Sequence, residues 1–116
     1  MAAQALRTVF DGGDTTAIDS HVRPDFIQHN PLAPDGPEAM KAFGAAVRQQ
    51  FLDAKYNVLG ALSEGDLLLH SSGVLVPCTP GMAVFDIFRF QDGKLVEHRD
   101  AMQDVPETSA NENTMF

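Results

Sequence analysis

The stretch "MAVFDIFRFQDGKLVEHRDAM", residues 82–102, decides the fold. Phe, Val, Ile and Leu alternate with other residues on both sides of "QDG", the pattern of two strands joined by a tight connection. Which residues share a face depends on that connection. A two-residue turn at Asp92-Gly93 pairs Phe90 with Leu95 and sets Asp86 opposite Arg99. A three-residue loop, Gln91-Asp92-Gly93 with Gly93 left-handed in a G1 bulge, pairs Phe90 with Lys94, Asp86 with His98 and Val84 with Asp100. The second register is preferred because it gathers Val84, Phe88, Val96 and Met102 on one side. Asp86, His98 and Asp100 then sit among them. Such groups are costly to bury unless paired, so they read either as a site or as a structural Asp–His pair closing the sheet end. The opposite face carries Ala83, Phe85, Ile87, Leu95 and Ala101 beside Arg89, Glu97 and Arg99. It is too apolar for solvent alone, and a homodimer through this outer face is expected.

Working upstream, "KYNVLGAL" and "LLLHSSGVLV" are two more strands, separated by "SEGD" and closed by "PCTPG". With the hairpin they make a meander of four antiparallel strands. Before them, Met40, Phe43, Val47 and Phe51 recur at helical spacing, and Asp35 and Glu38 have capping-box spacing with Pro37 in the first turn. A short helix over "TTAIDSHV", closed by Pro24, and another over residues 2–10, stopped by Gly12-Gly13, precede it. "FIQHNP" is then a short extended piece before a loop. The class is α+β, about three helices gathered on one face of a curved sheet.

The chain has 116 residues and no low-complexity linker, so one domain over 1–116 is expected. Sixteen acidic against eight basic residues give a net charge of −8, which argues against nucleic acid and anionic membrane surfaces as partners. A single cysteine, Cys78, excludes an intrachain disulfide framework and CxxC-type zinc sites. No apolar run approaches the ~18 residues of a membrane span, and residues 1–13 lack a basic start with a long apolar stretch. A cytoplasmic protein is expected.

"FIQHNP", "DG" before a helix, "EGD", "FDIFRFQDGKLVEHRD", "MQDVP" and "NENTMF", in that order over nearly the whole chain, resemble the SnoaL-like polyketide cyclase family of the nuclear transport factor 2-like superfamily. The resemblance implies a cone-shaped α+β barrel, a curved antiparallel sheet wrapped around a long helix, usually dimeric. It also implies aldol ring closure without metal or organic cofactor, with an Asp as acid/base. The Asp of the family's EHxD motif falls on Asp100 and its His on His98. The Asp of "DIFR" falls on Asp86, and the His and Asn of "QHN" on His29 and Asn30. The third EHxD position, usually Trp, is Arg99 here, which strand alternation points away from the pocket.

Aldol closure needs a proton removed beside a carbonyl, and a desolvated carboxylate suits that task. Asp100 is the expected proton shuttle. His98, two residues away on the same face, would orient it or donate to the substrate oxygen, and Asp86 would fix the imidazole. His29 and Asn30 would add donors at the mouth, while Phe43, Val84, Phe88 and Met102 would line the pocket for a small apolar carbonyl compound. His70, among leucines, reads as a core histidine. Arg89, on the outer face, is expected to pair with Glu97 or to serve the interface rather than to bind substrate. Tyr56, the only tyrosine, leaves few ways to build a tyrosine-based oxyanion site. His98, Asp86, Asp100 and His70 have metal-ligand chemistry, but no spacing demands a metal, and none is expected. A hydrolase or dehydratase using the same Asp and His, and a non-catalytic binding or dimerisation module, remain open alternatives.

Overall fold

Strand residues outnumber helical ones, as the apolar alternation of the second half requires. The computed structural model describes residues 16–50 and 53–116. In order these form α1 (Thr16–His21), β1 (Val22–Gln28), α2 (Pro37–Gln50), β2 (Lys55–Glu64), β3 (Leu67–Leu75), β4 (Met82–Gln91) and β5 (Lys94–Asp104). The helix expected over residues 2–10 lies outside the described residues, as do Phe51 and the Val47 side chain. None of the described helices is long and apolar enough to cross a membrane.

The strands form one curved sheet in the order β1-β5-β4-β3-β2, which does not close. β2 to β5 make the expected antiparallel meander, but β1 adds a fifth strand parallel to β5. The sheet is therefore mixed, and the "FIQ" piece is part of a strand. Pro24 does not close α1; that helix ends at His21 and Pro24 lies within β1. An edge strand can carry proline because one row of its amides needs no ladder partner, and β1 pairs irregularly between Val22 and Ile27.

The β4–β5 register differs from the expected one. Asp92 and Gly93 both have positive φ, 52° and 77°, and Gln91 pairs with Lys94 and Phe90 with Leu95 across a two-residue turn. Asp-Gly suits this because both central residues of such a turn are left-handed. The pairing then slips, and Arg89 lies opposite Glu97, Phe88 opposite His98, Asp86 opposite Asp100 and Val84 opposite Met102. Val96 is the extra residue of a β-bulge in β5. The slip restores the face composition of the preferred register, because the two registers differ by an even number of residues. Asp86 faces Asp100 rather than His98, and Leu95 shares the inner face with Phe90 instead of facing outward.

Ile18, Val22, Phe26, Met40, Leu68, Phe88 and Leu95 form the buried core, with Phe90 packed against it. Each such side chain contributes about 1.5–3 kcal/mol relative to exposure. α2 supplies Met40, whereas Phe43 on the same helix stays exposed. Asp35 does not cap α2; its carboxylate accepts from the Gln28 amide at 2.8 Å and ties the loop back to β1. On the outer face, the Phe116 ring lies against Gly73, where a Cβ would come within 2.5 Å of it.

Candidate active site

The inner face of β4 and β5 brings Asp86, His98 and Asp100 together, one ligand-type atom from each lying within 4.8 Å of the others. Asp86 and His98 are 5% and 8% exposed, and Asp100 is half-buried. His98 Nε2 lies 2.8 Å from Asp86 Oδ1, so the imidazole is held by the residue diagonal to it across the hairpin. His98 Nδ1 lies 2.8 Å from Gln28 Oε1 at the end of β1, and the ring stacks on Phe88 with centroids 4.8 Å apart. The expected partnership of His98 with Asp100 is not seen. Asp100 Oδ2 instead accepts from Asn30 Nδ2 at 2.8 Å.

Asn30 is a buried residue just past β1, and local bonds fix it. Its Oδ1 accepts from the Leu32 amide at 2.8 Å, its carbonyl accepts from the Ala33 amide, and its own amide donates to Gln28 Oε1 at 3.1 Å. The amide therefore points from a rigid corner onto Asp100. His29, its neighbour, faces the other way: its Nε2 lies 2.7 Å from Glu97 Oε1 on the outer side, so it adds no donor to this cluster. Val84 and Phe88 are buried beside the cluster. Met102 is largely exposed towards the end of β5, and Phe43 is exposed on α2, so neither closes tightly over the carboxylates.

Tyr56 on β2 reaches across the curl of the sheet and donates its hydroxyl to Asp86 Oδ2. Burial, then the charge of Asp86, then this hydrogen bond raise its ionisation well above the ordinary 10.0. The phenol thus stays protonated as a fixed donor. Sequence reasoning set it aside because a single tyrosine leaves few ways to build a tyrosine-based site, and its strand is the one farthest from β5 in the sheet. The only available signal was its parity with Val58, which faces inward in the same strand. His70, opposite Asp86 on β3, is buried with its ring edge-on to Phe88 at 5.3 Å, a core position as expected. Arg89 Nε bonds Glu97 Oε2 at 2.7 Å, also as expected, and Arg99 reaches the same carboxylate from the outer face.

Asp86, His98 and Asp100 could offer three ligand atoms to a small divalent cation. Asp86 and His98 are bonded to each other and to Tyr56 and Gln28, and Asp100 is bonded to Asn30 through one oxygen. Chemically the cluster offers one half-buried carboxylate, Asp100, whose second oxygen has no partner among the described residues, set beside a hydrogen-bonded Tyr–Asp–His chain.

The model of a SnoaL-like domain matches residues 3–98 and so ends at His98, short of Asp100. No curated protein matches the chain. Solved structures do. A candidate polyketide cyclase from Bacillus cereus ATCC 10987 aligns with a TM-score of 0.76 at 22% identity, covering 87% of this chain and 71% of that one. A candidate isomerase of the SnoaL-like family from Agrobacterium tumefaciens strain C58 gives 0.74 at 14% identity, over 88% and 94%. TsrD from Streptomyces laurentii gives 0.71 at 20% identity, over 87% and 84%. At these identities the likeness establishes the α+β cone fold.

Proposed function

The chain belongs to the SnoaL-like domain family, and on that premise we propose that it is a small-molecule enzyme performing cofactor-free acid/base chemistry, aldol-type ring closure or isomerisation, on an apolar carbonyl compound. The observation that carries this reading is the half-buried Asp100 carboxylate, held by the Asn30 amide at 2.8 Å beside an apolar core. Asp100 takes the proton from the carbon next to the carbonyl and returns it to the product. Asn30 fixes the angle of the carboxylate, so little rotation is lost when substrate arrives. The Asp86–His98–Tyr56 chain forms the polar wall behind it, and Val84 and Phe88 supply the apolar wall that excludes water. Because Asp86 accepts from β2 and β5 together, it also braces the sheet, while Asp100 carries the chemistry. The cyclase and isomerase names of the structural neighbours agree in kind with this reading.

Deuterium uptake by NMR in heavy water, beside the carbonyl of a panel of aromatic and polyketide-like ketones, tests it. Uptake is expected with the parent protein and is expected to fall by at least ~10²-fold in Asp100→Asn with folding intact. Absence of uptake by every ketone that binds would overturn the reading. We also propose a homodimer through the outer face, where Phe85 is 52% and Leu62 75% exposed. A single monomer mass in light scattering at micromolar concentration would exclude it.

A further inference from the structure

Gln28 stands at the end of β1, the one residue of "QHN" given no role in the sequence reading, yet it fixes where protons can sit. Its Oε1 lies 3.1 Å from the Asn30 backbone nitrogen and 2.8 Å from His98 Nδ1. A backbone N–H only donates, so the atom it meets must be the amide oxygen, and the orientation of the Gln28 side chain is thereby assigned. An unprotonated Nδ1 at that distance would set lone pair against lone pair. Nδ1 therefore carries a hydrogen. The other nitrogen, Nε2, is closed off by Asp86 Oδ1 at 2.8 Å, and the second oxygen of Asp86 is occupied by the Tyr56 hydroxyl. The groups facing the ring from each strand are Gln28 on β1, Tyr56 through Asp86 from β2, His70 beyond Phe88 from β3, Asp86 on β4 and Asp100 on β5.

We propose that Gln28 is a positioning residue that holds His98 as a hydrogen donor at Nδ1, leaving Asp100 as the one group of the cluster free to accept a substrate proton. This deepens the acid/base reading above and rests on it for the role of Asp100. The reason is geometric: a histidine acts as a base only through a ring nitrogen that carries a lone pair and an open approach. Nδ1 donates to Gln28 Oε1 and, by the same argument, Nε2 donates to the Asp86 carboxylate, so neither ring nitrogen offers a lone pair to a substrate. The imidazole therefore serves as a donor that fixes Asp86, and proton traffic passes through the carboxylate that Asn30 presents.

The test is ¹⁵N NMR of the full chain labelled at histidine, with the His98 signals assigned by their loss in His98→Gln. The parent should show Nδ1 at the protonated position with a directly coupled hydrogen. Gln28→Leu removes the acceptor and should move Nδ1 away from that position, with ketone exchange falling about tenfold or more, a part of the ~10²–10⁴ that a positioned acid/base supplies. Gln28→Glu keeps an acceptor and should keep the Nδ1 hydrogen, so it serves if Gln28→Leu does not fold. A parent spectrum with bare Nδ1, or one unchanged in Gln28→Leu, overturns the proposal. A protonated Nδ1 with no ketone exchange upholds the Gln28 assignment and sinks the enolate reading, whereas exchange with a bare Nδ1 does the reverse.

Discussion

The two faces of the β4–β5 hairpin each carry a carboxylate that accepts from several side chains, and they use it differently. Inside, Asp86 takes bonds from His98 and Tyr56, and the side chains of His98 and Asp86 are 10% and 7% exposed. Outside, Glu97 takes bonds at 2.7 Å from Arg89, Arg99 and His29, whose side chains are 32%, 51% and 42% exposed. Glu97 itself is 12% exposed, but water reaches its partners and can replace each when it is removed. It cannot do so inside, where a deleted partner leaves another group buried and unsatisfied. Distance alone therefore says little about what an ion pair contributes; access to solvent decides it.

The sharpest way to break that comparison is to remove the inner acceptor. Asp86→Ala leaves His98 Nε2 and the Tyr56 hydroxyl without a partner and should cost about 3–5 kcal/mol, read as a large drop in the urea midpoint. A loss below ~1 kcal/mol would make the inner cluster as dispensable as the outer one. Tyr56→Phe removes one donor and keeps the ring, so a loss of about 1 kcal/mol is expected by the same measurement. Because Tyr56 is the single tyrosine, its phenolate absorption also reports directly. In denaturant it should appear near pH 10.0, and in the native protein only at higher pH, since folding raises its ionisation. Coincident curves would place the hydroxyl in water.

The smallest effect belongs outside. Arg89, then His29, hold Glu97 below its ordinary 4.5, so its stabilising contribution is present above that value and disappears as pH falls through the lower folded one. Glu97→Gln should lower stability at pH 7 by less than ~1 kcal/mol, and the variant and parent should converge in acid. Thermal midpoints at neutral and acid pH check this, and a loss as large as that of Asp86→Ala would erase the contrast between the faces.

The contrast was partly readable in the sequence. Alternation with period two put Asp86, His98 and Asp100 on one side with Val84 and Phe88, and it set Arg89, Glu97 and Arg99 on the other, as the strands have them. The bulge was not readable, because the extra residue is Val96 and nothing in its chemistry marks it. Without it, the Asp-Gly turn that does form would have sent His98 outward. β1 was hidden by Pro24, which signals a helix stop in one context and an edge strand in another. Hidden with it were two contacts it positions, Gln28 on His98 and Asn30 on Asp100, although Asn30 itself was read as a donor to the site. Tyr56 escaped because its contact with Asp86 depends on how far the sheet curls, a tertiary property with no local period.

The bulge at Val96 has a consequence for how such a chain can change length. Deleting Val96 would leave Phe90 opposite Leu95 and Arg89 opposite Glu97, every side chain still on its present face. Deleting Arg99 would carry Asp100 out of the interior while His98 stayed behind, since one step along a strand changes sides. Two single-residue losses, three positions apart, thus differ between a shortening that keeps both faces, at the cost of one buried valine, and an inverted face. A residue can be lost at the bulge with both faces kept, whereas one lost between His98 and Asp100 turns part of the inner face outward.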